Sequence, residues 1–513
     1  MHCEEEKMQL TTPPIPLGLP KKFFRGSIAA ILATLLTISA IASVWQFLLK
    51  HFAHLGLIGW VSLTVYAVGF AALVFFCAQP HSDASERKLV GWTLALTFLL
   101  KLLCVMVWSH FPQSGDRVYL MQFVDRWASG GDAALQQLSR EVHDYPVWSG
   151  RAWPFLYPLR VLFPTHFVFA TQVFNCVLST ALLAAIYGLT RGLVTRPLIP
   201  LALAAISPVF YWSVLEYGYR CQGLLLLLTA LAFLRFFLRG NTSTQLRLEL
   251  LMSILLGLTL FLLHLQRGLD FVVISLLIIT LAYAAWQQKN SRSIFRLVLL
   301  TLILPVAMMV PFSKVADAWL AKRDIGKLNS GFIMHMAIGW NLVTWGEFYL
   351  PVEVLDSQTP PALKKKVMLG YIQQQIQEHP FDALVRLPLV KAIKLFQLGS
   401  SGDIEGKFSE AGQAHWAAVF KAARLVFAPV VLLLAAIGCW RFLRSAAPER
   451  VMWSLLVLDF TTAYTFFSET SPHYSIYFQF VLLACAAEGV MVVLNLSSRS
   501  RQHKNAPQLS TSA

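Results

Sequence analysis

The residues able to do chemistry in this chain interrupt long apolar runs, and they gather in four places. Asp116 stands in Ser114-Gly115-Asp116-Arg117-Val118-Tyr119; Glu216, Tyr219 and Arg220 form a second group; His264, Arg267 and Asp270 a third; Glu469, His473 and Tyr474 a fourth. Ionisable side chains at the edge of an apolar segment are costly and usually functional. A carboxylate such as Asp116 or Glu216 can act as a general base toward a hydroxyl or amine. Arginine and histidine can hold a phosphate, since guanidinium offers paired donors to anionic oxygens. Each group also has a plainer reading. Asp116 could cap a helix that starts at Arg117. Arg267 with Asp270, and Glu216 with Arg220, have the spacing of partners on one helix face. His473, after Pro472, could be an interfacial residue only.

The elements that must position these residues follow from composition. Of 513 residues, 56% are hydrophobic and only 13% charged, with a mean hydropathy of +0.59. A soluble domain has roughly a quarter of its residues charged, so this composition excludes an ordinary cytosolic enzyme and a disordered chain. The class that remains is an all-α polytopic membrane protein. The net charge of +15 would suggest nucleic acid in a soluble protein. In a membrane protein it reads as lysine and arginine collected in cytoplasmic loops, with no nucleic-acid partner. None of the seven cysteines stands in a CxxC pair, so they read as small buried hydrophobes.

Runs of about 20 apolar residues recur about twelve times, near 27–49, 57–77, 89–111, 166–190, 197–212, 218–239, 248–265, 268–286, 294–312, 416–440, 451–467 and 473–496. Every second short connection is basic: Lys21, Lys22 and Arg25; Arg87 and Lys88; Arg191 and Arg196; Arg235, Arg239 and Arg247; Lys289, Arg292 and Arg296; Arg441, Arg444 and Arg450; Arg499, Arg501 and Lys504. By the positive-inside rule both termini are expected in the cytoplasm. The expected organisation is a cytoplasmic tail over 1–26, a transmembrane domain over 27–496 and a second cytoplasmic tail over 497–513. Two long loops, 111–165 and 311–415, then fall on the outer side. Tyr119, Phe123, Trp127 and Ala128 recur at helical spacing in the first. In the second, Val385, Leu389, Ile393 and Phe396 form an apolar face beside Arg386, Lys391 and Lys394. Both are expected to be helices lying along the membrane surface, which brings membrane lipids in as partners.

Taken in order, these motifs resemble the GT-C membrane glycosyltransferases, in particular the bacterial branch related to protein O-mannosyltransferases and aminoarabinose transferases. The resemblance runs from about Ser114 to Val490. Gly115-Asp116 with Tyr119 is similar to that family's outer-loop acidic motif. Arg151-Ala152-Trp153-Pro154-Phe155-Leu156-Tyr157-Pro158-Leu159 resembles its re-entry into the membrane. Ser207-Pro208 followed by Glu216 resembles its proline-containing helix pair, and Arg267 an arginine that opens a later span. Ile338-Gly339-Trp340-Asn341 with Gly346 resembles the small-residue motif of its second loop. Glu378-His379-Pro380 followed by Lys391 resembles the helix that lies on the membrane after that loop. Ser471-Pro472-His473-Tyr474 stands where many members carry an Arg-Tyr pair. Arg117 occupies the place where members with an Asp-Glu pair have a second acid, which argues against a divalent metal held there. No other cofactor is implied.

The resemblance implies a sugar donor linked to polyprenyl phosphate and a lipid, glycan or protein acceptor. Asp116 would be the general base. Arg220, His264, Arg267 and His473 would hold the donor phosphate, where positive charge stabilises the leaving group. Tyr119, Tyr157, Glu216, Trp340 and Asn341 would line the cavity. The expected location is a bacterial inner membrane, with the site facing outward. Two other readings compete: a flippase or transporter of lipid-linked sugars, with charges placed along a midplane path near broken helices, and a polysaccharide polymerase or ligase.

Overall fold

The computed structural model describes residues 18–50, 56–108, 116–141, 155–215, 220–239, 246–267, 270–287, 291–321, 332–347, 349–396, 398, 408, 413–444, 447–468 and 472–504. Among them the fold is helical throughout, and the chain has the architecture of an all-α polytopic membrane protein.

Three long helices open the chain: α1 (Gly18–Lys50), α2 (Leu57–Ala78) and α3 (Asp83–Val107). Local sequence explains their limits. The Ser82 hydroxyl accepts from the Ser85 amide at 3.3 Å, and Asp83 and Glu86 occupy the first turn of α3, where carboxylates complement the exposed amides. Next come α4 (Asp116–Glu141) and the short α5 (Leu156–Leu162), then α6 (Phe167–Thr190). The pair α7 (Leu198–Ala205) and α8 (Pro208–Leu215) is bent by 56°. Pro208 lacks an amide proton and so cannot continue the ladder of α7. They are followed by α9 (Arg220–Arg239), α10 (Leu246–Arg267) and α11 (Asp270–Gln287). Helix α12 (Ser291–Val298) runs through a π turn into α13 (Leu304–Ala321). The late segment holds α14 (Phe332–Gly339), α15 (Leu350–Gln358), α16 (Pro361–Glu378) and α17 (Leu387–Leu395). Three final elements, α18 (Ala414–Arg444), α19 (Pro448–Phe466) and α20 (Ile476–Lys504), complete the bundle.

Among the described residues nine helices are long and apolar enough to cross a membrane, or ten if the bent pair counts as one span. The expected twelve are therefore not reached, for physical reasons. The 18 residues of α11 rise only about 27 Å at 1.5 Å each, short of a hydrocarbon core of about 30 Å. Helix α19 carries Glu449, Arg450 and Asp459 in its length. It is nonetheless buried along most of its face, with Trp453, Leu456 and Phe460 fully enclosed. Of its charges Glu449 is buried, and Arg450 and Asp459 are half-buried.

The basic connections converge. Glu488, buried in α20, accepts from the Thr195 amide at 2.6 Å and pairs with Arg441 at 2.7 Å. Arg235 donates to the carbonyls of Gly188 at 3.1 Å, Leu189 at 2.5 Å and Arg191 at 2.6 Å, satisfying the carbonyls that a helix end leaves open. Arg25 donates to Arg444 O at 3.0 Å, and the Tyr187 hydroxyl donates to Glu86 at 2.5 Å. These contacts put the start of α1, the ends of α6, α9 and α18 and the middle of α20, at Glu488, at one end of the bundle, the basic end. The opposite, far end receives the end of α3, the start of α6 and the ends of α8, α10 and α19.

Helices α18 and α20 pack closest. A methyl at Gly438 would collide with Cys485 O, and one at Gly489 with Leu434 O, the close backbone approach that small residues permit between membrane helices. Five of the six described cysteines (Cys77, Cys176, Cys221, Cys439 and Cys485) are buried, and Cys104 is half-buried.

Candidate functional site

Each of the four groups has one member on an element that reaches the far end. Asp116 opens α4 and Arg220 opens α9; Arg267 closes α10; His473 stands in a 3-10 turn, Pro472–Ser475, before α20. The side chains of these four residues, and that of Tyr119, lie outside the described part, as does all of Glu216. His264, one turn before the end of α10, is half-buried. In the first loop the helical spacing holds: Leu120, Phe123, Val124 and Trp127 of α4 are buried with Leu156 and Phe167. Tyr157 packs its ring on Trp127 at 4.4 Å, and Trp319 from the end of α13 covers the same indole at 5.9 Å. Arg160 pairs with Asp125 at 2.5 Å. This helix is thus packed onto the far end by its aromatic face.

The most completely built group at the far end comes from three distant segments. Lys391 of α17 is fully buried. Its ammonium donates to Gly339 O at 2.9 Å, at the end of α14, and to Ser468 O at 2.7 Å, just after α19. The chain from Gly339 folds around that lysine. Trp340 donates its indole N–H to Phe466 O at 2.8 Å. The Gly346 amide donates to Asn341 O at 2.9 Å. The turn requires the left-handed region at Trp345 (φ 56°) and Gly346 (φ 78°). At Gly346 this is more than a conformational need, because a Cβ there would stand 2.6 Å from Lys391 Cδ. Glycine lets the turn sit on the lysine stem. Lys394, one turn on, donates to Thr344 O at 3.2 Å and pairs with Glu347 at 2.9 Å. The Arg386 guanidinium lies 4.8 Å from the centre of the Trp345 ring, a cation–π contact.

This arrangement corrects the amphipathic reading of α17. Lys391 and Lys394 do not line a lipid-headgroup face; they turn inward onto the loop. The exposed side belongs instead to Val385 and Leu389, while Phe396 is fully buried. The reason is that Gly339 and Ser468 leave carbonyls in the interior that only a donor can satisfy.

Asn341 is fully buried. Its Oδ1 accepts from the Val343 amide at 2.6 Å, whereas its Nδ2 meets no partner among the described residues. The Thr465 hydroxyl, at the end of α19, is likewise buried and unpaired among them. Tyr474 stacks on Tyr464 at 4.6 Å, which ties the start of α20 to the same corner. Behind the turn, α14, α15 and α16 form their own small core of Met334, Ile338, Val352 and Met368. Burial there pushes the Tyr371 hydroxyl up to about 12, with the Tyr349 hydroxyl adding to the effect, so Tyr371 is a neutral donor rather than a base near neutral pH.

Lys101 and Asp459 are ionisable groups inside the bundle, away from both this corner and the basic end. Lys101 of α3 is fully buried and donates to the Ser179 hydroxyl at 2.6 Å. Asp459 of α19 is hydrogen-bonded to the Ser275 hydroxyl at 2.5 Å. Lys101 carries a signal in the sequence that a reading of the loops passes over: it is the only Lys, Arg, Asp or Glu between Lys88 and Asp116.

No group of three or more His, Cys, Asp or Glu side chains among the described residues is arranged to hold a metal ion. No protein-family model matches the chain, and no curated protein matches it in sequence.

Proposed function

We propose that this protein is an integral-membrane glycosyltransferase of GT-C type, taking a sugar from a polyprenyl-phosphate donor at the outer face of a bacterial inner membrane. The observation that carries the reading is the corner built on Lys391. Three segments with motif resemblance to that family, at Gly339–Gly346, at Lys391 and at the approach to Tyr474, contribute to one place at the far end. Asp116, Arg220, Arg267 and His473 stand on elements that end on the same side.

In this reading the acceptor hydroxyl or amine attacks the anomeric carbon of the donor. Its proton passes to the Asp116 carboxylate. The bond from the anomeric carbon to the phosphate oxygen breaks, the configuration inverts, and the lipid phosphate leaves as an anion held by Arg220, His264, Arg267 and His473. Tyr119, Tyr157, Glu216, Trp340 and Asn341 shape the cavity, with the unpaired Asn341 amide offering a donor to a sugar hydroxyl. The acceptor is a lipid, a glycan or a protein.

The test is reconstitution of the full chain with a panel of polyprenyl-phosphate hexoses and pentoses, following loss of the sugar from the donor. Asp116→Asn is expected to reach the membrane in wild-type amount and to lower turnover by at least about 100-fold, the lower range for a positioned general base. Wild-type turnover in that variant removes the assignment. A second reading, a carrier of lipid-linked sugars, is favoured by Lys101 and by the break between α7 and α8. It is separated by the same vesicles: a carrier moves the labelled lipid between leaflets and leaves the sugar attached.

A further inference from the structure

Helices α11 and α19 pack side by side, and one pair of polar side chains joins them. Asp459 Oδ2 lies 2.5 Å from Ser275 Oγ. The same Ser275 oxygen lies 3.0 Å from Val272 O, one turn earlier on α11. Counting protons decides how this group is wired. A serine hydroxyl has one proton to donate, whereas an ionised carboxylate and a carbonyl only accept. If Asp459 is a carboxylate, it takes the serine proton, and Ser275 Oγ then faces Val272 O with no proton between the two oxygens. If Asp459 is a carboxylic acid, it donates to Ser275 Oγ, and the serine proton goes on to Val272 O. Only the second arrangement gives each of the two short contacts a donor.

The surroundings agree. Among the described residues no cation pairs with Asp459; what acts on its carboxyl is burial and the Ser275 hydroxyl. Charges on the elements packed against α19 are engaged elsewhere. Lys391 of α17 binds the carbonyls of Gly339 and Ser468, and Lys394 pairs with Glu347. Arg235 of α9 binds the end of α6, Arg441 of α18 pairs with Glu488 of α20, and Arg25 of α1 binds Arg444 O. Helix α11 carries no Lys, Arg, Asp or Glu after Asp270. Lys421 and Arg424 of α18 and His335 of α14 are not among the groups that act on Asp459. The half-buried edge of Asp459 shares the outer stripe of α19 with Thr462 and Phe466, and half-buried Ser275 borders Phe271, Ile278 and Ile279 on α11; these five neighbours are exposed. Exposed apolar side chains on a membrane bundle face hydrocarbon, where an unpaired carboxylate is costly and a hydrogen-bonded carboxylic acid far less so.

We propose that Asp459 and Ser275 form a proton-binding site in the seam between α11 and α19, occupied at neutral pH and reached from the lipid side rather than from water. The bound proton completes the link from Asp459 through Ser275 to Val272 O that ties α19 to α11. Losing it leaves a carboxylate in an apolar seam, so release requires the two helices to part toward water. The inference does not rest on the glycosyltransferase reading, since neither residue takes part in it. It also defines a modification site for an apolar carbodiimide. The acid's proton passes to one nitrogen of the reagent, a carboxyl oxygen bonds to its central carbon, and the acyl group then migrates to nitrogen. No group leaves, so the peptide gains the whole mass of the reagent.

The full chain in phosphatidylcholine nanodiscs tests this with two readouts. Infrared spectra at neutral pH are expected to show a carboxylic-acid carbonyl band that is lost in Asp459→Asn. That variant is expected to fold, because its amide keeps a donor for Ser275 Oγ. The discs are then treated with dicyclohexylcarbodiimide, which partitions into the bilayer, or with the water-soluble ethyl(dimethylaminopropyl)carbodiimide, and the peptide holding residue 459 is weighed. The apolar reagent is expected to modify Asp459 at neutral pH and the water-soluble one to leave it intact. Band and modification are expected to fall together as pH rises, because each needs the proton. A neutral-pH spectrum from which Asp459→Asn removes no carboxylic-acid band overturns the bound proton. Equal modification by both reagents overturns access from the lipid side. If Asp459→Asn does not fold, the wild-type peptide decides alone: modification by the apolar reagent that declines with rising pH supports the site, and its absence at neutral pH overturns it.

Discussion

Among the described residues two lysines are fully buried, and their environments are opposite. Lys391 binds two backbone carbonyls from separate segments and holds a turn against the end of α19. Among the described residues Lys101 has a single hydroxyl and two ring faces, beside the break between α7 and α8. The first is an assembly device: its charge replaces water for carbonyls that would otherwise be orphaned. The second has fewer acceptors than protons among the described residues. Burial alone does not separate the two; the count of acceptors around the ammonium does.

The sharpest way to break this comparison is to neutralise each lysine. Lys391→Met leaves Gly339 O and Ser468 O buried without a donor, at about 1–3 kcal/mol each. It is therefore expected to cost about 4 kcal/mol in total, to release the turn from Gly339 to Gly346 to protease and to abolish activity. Chemical unfolding and limited proteolysis in detergent check this, against the neutral or positive effect expected at Lys101→Met, which removes a buried charge that no described carboxylate pairs with. A loss of stability of equal size at both lysines would end the distinction.

A smaller effect is expected at Gly346→Ala. The left-handed backbone alone costs an ordinary residue about 1–2 kcal/mol, and the new methyl would press on Lys391 Cδ. Stability should fall, and a fluorescence signal from Trp345 should change with it. Adding Lys391→Ala, which shortens the stem, should recover the steric part but not the backbone part, so the double mutant should be non-additive.

The smallest effect concerns pH. The Tyr371 hydroxyl has its pKa raised to about 12 by burial and by Tyr349, from an ordinary value near 10. A raised value means that the folded state keeps its proton longer than the unfolded state. Stability from this group is complete below pH of about 10 and is lost as pH climbs toward about 12. Tyr371→Phe should flatten that part of the pH–stability profile and leave the profile at neutral pH unchanged, which thermal unfolding across an alkaline series would show.

Much of the architecture is legible from sequence because the forces behind it are local. A run of apolar residues long enough for a bilayer must satisfy its own amides, so it is a helix wherever it lies. The stripe of Phe123 and Trp127 packs as its spacing requires. Basic connections gather at one end, where Arg235 binds the carbonyl of Arg191 and Arg441 pairs with Glu488. The failures are equally physical. The apolar middle of α19 reads as a span, yet Glu449 and Arg450 lie in its first turn, and most of the helix is buried against its neighbours. Spacing alone turns the lysines of α17 toward headgroups, because lysine usually seeks water; Lys391 instead meets carbonyls from residues 52 and 77 positions away. Trp340 and Asn341 follow from motif order, and they stand in the built corner. For Asp116, Arg220, Arg267 and His473 only the ends of their helices are placed.

By itself the amino-acid sequence determined that this is a helical membrane protein, which ends of its helices are basic, and where ionisable residues break the apolar runs. Those properties depend on neighbours within a few turns. Only the tertiary structure decided that Lys391 closes a turn while Lys101, among the described residues, meets a single hydroxyl. The acceptors around a buried charge come from helices remote in the chain, and no spacing along one segment encodes which carbonyl, ring or thiol another segment will bring.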